Sequence, residues 1–267
     1  MKNIDRMLAP QFDPEGYDLF VDRSNEKETL VLKVQELIKD KNGSCLEIGF
    51  GTRPIFANKL ANRFHRYVVV EKENLGNINL GGGTEVITGD WESLDIDEKF
   101  DVILASHVVY YFKDKREALL KMLSHLKKDG VLIIVVNGKE GDYGPTKEFF
   151  ATRFGEKYEF TYDKILTLLK DEKIKEHNLF TEVSFNNIDD LYNSLRLLFD
   201  NYPREYSLLK EDLQDFWKSN LRDNKFTVNQ KILEISNNYY ERFVQSSKEV
   251  LKESQNDGPP WKSGRSE

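Results

Sequence analysis

The stretch CLEIGFGTRP, Cys45 to Pro54, decides how this chain is read. It begins as a largely apolar strand, turns on Gly49 and Gly51, and enters a helix for which Pro54 is a natural opening residue, since the N–H it lacks would have no partner there. A strand that turns on glycines into a helix N-terminus lets the backbone approach a nucleotide-like ligand closely. Two ligand classes use such a turn: dinucleotides and S-adenosylmethionine. The dinucleotide pattern asks for a third glycine where Pro54 stands. Glu47, two residues ahead of Gly49, suits the amino acid end of S-adenosylmethionine instead. Glycine turns after strands are common in α/β proteins, so the surrounding chain has to carry the assignment.

Outward from the turn, strand and helix patterns alternate. A helix from Asn25 presents Leu30, Val31, Val34, Leu37 and Ile38 on one face, with Asn25 and Glu28 spaced as a capping box and Asn42-Gly43 as its end. Residues 1–24 carry Pro10 and Pro14, which argue against an early helix. Strands are expected at Ser44–Ile48, Tyr67–Val70, Glu85–Thr88, Phe100–Ala105 and Val131–Val136, with helices over Pro54–Phe64 and from Asp114 to Asp129-Gly130. The last of these strands is apolar throughout, as expected where both faces of a sheet are covered. The order predicts an α/β fold with a doubly wound, mostly parallel sheet. After Asn137 the pattern loosens: a helix over Thr161–Lys170, a strand over Ile174–Phe185, and two amphipathic helices between Ile188 and Trp217. Phe226–Ile235 reads as strand or helix, and residues 237–253 as helix. The resulting division is an N-terminal segment (1–40), a ligand-binding core (41–186), a helical insertion forming a lid (187–222), a final strand and helix (223–253) and a flexible tail (254–267).

Candidate site residues fall at consecutive strand ends. Glu71 lies 20 residues after Gly51 and closes the second strand, where a carboxylate can accept from both ribose hydroxyls. Asp90 and Trp91 follow the third strand; the carboxylate suits an adenine amino group, and the indole offers an apolar face. Ser106 and His107 end the fourth. Singly, Glu71 and Asp90 have plainer explanations, as a solvated glutamate and a turn aspartate. In chain order at the carboxyl ends of the strands, they form a specific set.

Composition bounds the partners. The 267 residues suffice for one large domain, and 39% hydrophobic content provides a core. A formal charge of −7 argues against a nucleic-acid backbone or an anionic membrane as the main partner. Cys45, the single cysteine, excludes an internal disulfide and reads as a small core residue. The N-terminus lacks a signal-peptide core, and the longest apolar run, Val131 to Val136, is too short to span a bilayer, so a cytoplasmic monomer or weak dimer is expected. No spacing of His, Cys and carboxylates suggests a metal.

These residues resemble the class I S-adenosylmethionine-dependent methyltransferases over about residues 40–137. The segments SHVVYYFKD (Ser106 to Asp114), VLIIVVNGKEG (Val131 to Gly141) and YDLFVDRSNE (Tyr17 to Glu26) are more closely similar to the histamine N-methyltransferases. That resemblance implies S-adenosylmethionine as cofactor, with Glu47, Gly49, Gly51, Glu71, Asp90, Trp91 and Ser106 holding it. It also implies a small-molecule methyl acceptor bound by Tyr17, Glu26, His107, Tyr110, Tyr111 and Gln230. Glu26 falls at the family's cation-binding glutamate and Gln230 (or Asn229) near a C-terminal amide. His107 stands where the family has glutamine, and Arg53 where the superfamily has a further glycine. An imidazole with its ordinary pKa near ~6.5 would accept a proton near neutral pH, which makes His107 the candidate catalytic residue. The implied reaction is N-methylation of an amine or imidazole-type nitrogen. An O-methyltransferase, a nicotinamide-dependent oxidoreductase and a non-catalytic S-adenosylmethionine-binding protein are the alternatives.

Overall fold

The structure, a computed structural model, describes residues 12–73 and 80–237. Residues 1–11, the tail, and the expected C-terminal helix beyond Asn237 lie outside the described residues. The chain runs α1 (Pro14–Arg23), α2 (Glu26–Leu37), β1 (Ser44–Ile48), α3 (Ile55–Leu60), β2 (Arg66–Glu71), β3 (Glu85–Thr88), β4 (Phe100–Ser106), α4 (Lys115–Ser124), β5 (Leu126–Gly141), α5 (Tyr143–Thr152), α6 (Thr161–Leu168), β6 (Ile174–Ser184), α7 (Ile188–Leu195), α8 (Pro203–Leu208), α9 (Lys210–Asn220) and β7 (Lys225–Ser236).

The strands form one sheet in the order β3-β2-β1-β4-β5-β7-β6. Pairings from β3 through β5 are parallel, and β7 runs antiparallel between β5 and β6. Order reverses between β1 and β4, so their carboxyl ends open a crevice, the usual ligand site of such sheets. One core layer, with Leu30, Val34, Phe56, Leu60 and Ile133, covers one face; a second, with Ile103, Leu119, Met122, Ile134 and Leu233, covers the other. A third cluster around Phe20, Phe150, Leu191, Phe199, Trp217 and Phe226 joins α1 and the helices between β6 and β7 to the far end of the sheet.

Local chemistry departs from the expectation in several places. Pro14 opens a helix rather than preventing one: it stands first in α1, and Asp13 accepts from Gly16 N–H as its cap. The capping box at Asn25 does not form. Ser24 Oγ accepts from Glu26 N–H, while Asn25 Oδ1 accepts from Glu182 N–H and ties the start of α2 to β6. Pro54 caps α3 from just outside, and the helix shortens to a 3-10 turn over Ala61–Arg63. Helix α5 lies in a segment whose spacing carries no clear helical period. Residues 225–236 settle as strand because β5 and β6 both offer edges for them to pair with.

Candidate functional site

The glycine turn has the geometry its composition implies. Gly49 and Gly51 sit at φ 69° and 63°, the left-handed region that a side chain disfavours. A Cβ on Gly49 would lie 2.8 Å from Val108 Cγ2, and one on Gly51 3.1 Å from Phe12 Cζ. The turn is thus held closely on one side by α1 and its approach, and on the other by the residues after β4.

Glu71 reaches back over this turn, accepting from Phe50 N–H at 2.9 Å and Gly51 N–H at 3.2 Å through Oε2. Among the described residues its Oε1 takes only Glu73 N–H at 3.3 Å, which leaves acceptor capacity. Glu47 is buried beneath the turn, where it accepts from Tyr67 Oη at 2.8 Å. Burial holds its carboxyl up to about 7, against the pull of Tyr67 and Lys27. Asp90 accepts from Glu92 N–H and lies 3.3 Å from Lys72 Nζ. Trp91 corrects the expectation of an open apolar face: it is 2% exposed, donates from Nε1 to Ala118 O, and packs under Lys121 in the core beside α4. Its ring supports the strand end and is closed to a ligand. Ser106 Oγ is buried at the crevice without a hydrogen-bond partner among the described residues.

His107 leaves β4 at φ 55°, a strained conformation for a non-glycine residue, with its N–H held by Val135 O at 2.9 Å. This turns the imidazole away from the strand and over the ring of Tyr110, with centroids 6.2 Å apart and planes 20° off parallel. Burial pulls its pKa down to about 4, against the opposing field of Glu26. The expectation of a base poised near neutrality is therefore corrected: at pH 7 the imidazole is neutral and a weaker base than free histidine.

Beside it the fold assembles a polar cluster from distant parts of the sequence. Gln230 Nε2, on β7, donates to Glu26 Oε2 at 2.9 Å and to Thr181 Oγ1 at 3.0 Å. Lys27 Nζ lies 3.1 Å from Glu26 Oε1, His107 Nε2 3.6 Å from the same oxygen, and the Lys27 ammonium 5.4 Å from the Tyr17 ring centroid. Burial opposes both charges of the Glu26–Lys27 pair, yet the fields of His107 and Lys27 hold Glu26 below its ordinary value, and those of Tyr17 and Glu26 hold Lys27 above its own. With His107 neutral, Lys27 is the partner that keeps Glu26 ionised. Glu26, expected to meet a substrate cation, already has one.

A cavity of about 100 Å³ opens from this cluster. Tyr17, Glu26, Lys27, His107, Tyr110 and Tyr111 line one side, and Tyr143, Tyr158, Asn137, Leu198 and Asp200 the other. The expected residues Tyr17, Glu26, His107, Tyr110 and Tyr111 thus share one cavity, with Gln230 behind Glu26. Tyr110 Oη accepts from Asn137 N–H at 2.6 Å, and Tyr111 Oη donates to Asp200 Oδ2 at 2.6 Å. Sequence reading missed Lys27, Asn137, Tyr143, Tyr158 and Asp200. Asn137 had the strand-end signal that marked Ser106, since it follows the apolar run of β5 directly. Lys27 and Asp200 had none: a charged residue beside a helix start or in a polar turn reads as solvated, and only packing buries it.

Comparison with known proteins places this geometry. A methyltransferase domain family matches residues 15–188. A malonyl-[acyl-carrier protein] O-methyltransferase of Calditerrivibrio nitroreducens is 31% identical over 114 residues, covering 40% of this chain. The chain thus spans about 45% of that relative's length. Among solved structures, a candidate methyltransferase from Bacillus halodurans C-125 superposes with a TM-score of 0.52 at 14% identity, over 78% of this chain and 98% of that one. The YcgJ protein of Bacillus subtilis does so with the same score and identity, over 78% and 97%. These likenesses share the sheet and its flanking helices. The match over well over half of the chain shows that it belongs to the methyltransferase domain family, the class I enzymes that use S-adenosylmethionine as methyl donor.

Proposed function

We propose that this chain transfers the methyl group of S-adenosylmethionine to a nitrogen of a small molecule held in the aromatic cavity, a reaction of the kind carried out by the histamine N-methyltransferases it resembles. The observation that carries the reading is the position of Tyr17. Its ring lies against Gly51, where a Cβ would sit 3.5 Å from Cε1, and the same ring lines the cavity. The cavity therefore abuts the glycine turn, and an acceptor in it would lie next to whatever the turn holds.

The strand-end residues suit the cofactor. The left-handed glycines leave the backbone open to close approach, and Ser106 Oγ is a buried polar atom still in want of a partner. Glu47 would face the amino group, Glu71 the ribose hydroxyls, and Asp90 the adenine amino group. When bound, S-adenosylmethionine supplies an electrophilic methyl carbon. The protein's part is to hold the acceptor's lone pair in line with that carbon and keep water out. A protonated amine has no lone pair, so a neutral surrounding favours the reactive form. His107 and Gln230 offer such a surrounding, with His107 orienting the attacking nitrogen by a hydrogen bond and leaving the released proton to pass to solvent after transfer. Residues 187–222 would act as the lid over this cavity.

A second reading follows from the 31% identical relative, which methylates an oxygen of a malonyl group on a carrier protein, as its name states. Asp200, a carboxylate in the cavity with no ion-pair partner among the described residues, weighs against an anionic acceptor here. A methyl-transfer screen read by mass spectrometry over small amines, imidazoles, phenols and a malonyl thioester tests both. We expect product from an amine or imidazole, and turnover reduced about tenfold in His107→Gln, the scale of one displaced orienting hydrogen bond. Methylation of the malonyl thioester alone would overturn the nitrogen reading. If His107→Gln and Glu26→Ala both left turnover and acceptor affinity unchanged, the cavity would not be the acceptor site.

A further inference from the structure

The two carboxylates that line the cavity differ in what they have left to offer. Glu26 is already engaged by Lys27 Nζ at 3.1 Å and by Gln230 Nε2 at 2.9 Å, and both Glu26 and Lys27 are buried. That pole of the cavity is neutral as a unit. Asp200, in the turn after the short helix Arg196–Phe199, accepts from the Tyr111 hydroxyl, and among the described residues no lysine or arginine forms an ion pair with it. Lys147, whose field reaches Asp200, instead donates from Nζ to Leu198 O and lies over the Phe199 ring, 3.7 Å from its centroid. Asp200 is therefore a mostly enclosed carboxylate with open acceptor capacity, beside the rings of Tyr111, Tyr143 and Tyr158. Enclosed carboxylates are stabilised by an opposite charge, and aromatic faces add cation–π attraction to it.

The other pole has the opposite character. Among the described residues, buried His107 Nε2 and Asn137 Oδ1 have no hydrogen-bond partner within bonding distance, although the Gln230 amide and Glu26 lie near His107, so they suit an uncharged polar group. A reacting nitrogen must be uncharged to carry a lone pair, and Val108, the residue after His107, comes within 2.8 Å of where a Cβ on Gly49 would lie.

We infer that Asp200, its carboxylate oriented by Tyr111, is the specificity-determining anchor for a cationic group of the acceptor remote from the reacting atom, a role Glu26 does not fill. The inference rests on the acceptor-cavity reading above.

The test is calorimetry on the full chain saturated with S-adenosylhomocysteine, using benzylamine as the cationic probe and benzyl alcohol as its neutral counterpart. Wild type should favour benzylamine by about tenfold or more, the scale of a hydrogen bond to a charged group. Asp200→Asn, which keeps the shape and can still accept from Tyr111, should abolish that preference without changing S-adenosylhomocysteine affinity. Asp200→Glu should retain most of it, and Glu26→Gln combined with Lys27→Met, which removes both charges of the buried pair together, should leave it within about threefold. A preference that survives Asp200→Asn, one lost in the Glu26→Gln, Lys27→Met double variant, or no preference in a wild type that binds S-adenosylhomocysteine, would overturn the inference while leaving the methyltransferase reading intact. A wild type that binds no S-adenosylhomocysteine would overturn that reading, and the inference with it.

Discussion

At the scale of single residues, the crevice holds groups in states they would not adopt in water. Gly49 combines a left-handed φ with Val108 at van der Waals distance, so Gly49→Ala meets both backbone strain and a collision. A loss of about 1–2 kcal/mol in urea denaturation is expected, with weaker S-adenosylhomocysteine binding. Glu47 and His107 are shifted in opposite senses, and their contributions to stability run oppositely with pH. The Glu47 carboxyl stays protonated in the fold up to about pH 7, whereas in the unfolded chain it ionises near its ordinary value of 4.5. The native state thus holds the extra proton between pH 4.5 and 7, and the stability tied to Glu47 is present below 4.5 and lost as pH rises to 7. His107 is uncharged in the fold down to about pH 4 but titrates at 6.5 when unfolded. Its share is present above 6.5 and lost as pH falls toward 4. Melting temperatures across pH 4–8 should therefore gain relative to wild type at the upper end of the range in Glu47→Gln, and at the lower end in His107→Gln. Each full shift is worth on the order of 3 kcal/mol. Parallel profiles for wild type and variant would refute the burial assigned to that residue.

At the scale of elements, α1 is the piece that closes the site. Arg53, in the glycine turn, pairs with Asp18 at 2.8 Å and Asp22 at 2.5 Å, and Thr52 Oγ1 donates to Asp18 at 2.7 Å. At its other end Asp13 meets Arg196, just after α7, at 2.7 Å. The helix is thus fastened both to the turn and to the helices between β6 and β7, with the cavity between the two attachments. Arg53 is partly exposed, so Arg53→Ala should cost less than about 1 kcal/mol of global stability. Hydrogen exchange of residues 14–23 should nevertheless accelerate severalfold, because local opening is set by local contacts. Unchanged exchange there would show that Phe20 and its apolar neighbours hold α1 without the ion pairs. Pro14 shows why this element was hard to read. The same residue breaks a helix from within and starts one from its first position, and which applies depends on where Asp13 can cap.

At the scale of the whole molecule, the third apolar cluster shows how α5, α7, α8 and α9 are bound to the sheet, and Lys147 lies inside it. The lysine is 2% exposed, and burial brings its ammonium down to about 7, with Asp200 pulling the other way. Since the unfolded chain holds that proton up to about pH 10.5, the contribution of Lys147 to stability is lowest at and below pH 7 and recovers as pH rises toward 10.5. Lys147→Met, which keeps the volume and removes the buried charge, should stabilise the protein by about 1–3 kcal/mol at pH 7 and flatten that rise, as followed by thermal melting. A destabilised variant would mean that the bond to Leu198 O and the surrounding rings outweigh the desolvation. What the sequence by itself determined is the part governed by local chemistry. The alternation of strand and helix follows from apolar periodicity, the glycine turn from left-handed backbone, the α4 cap from Asp114, and the line of polar residues at the strand ends from where apolar runs stop. Tertiary structure alone decided which of those residues line the cavity and which turn into the core. Trp91 turned into the core because α4 offered its indole a carbonyl, and Glu26 came to be paired because packing buried Lys27 beside it. Gln230 met Glu26 across 204 residues because β7 inserted between β5 and β6. Burial and pairing belong to groups distant in the chain, and they set the charge state of each group in the site.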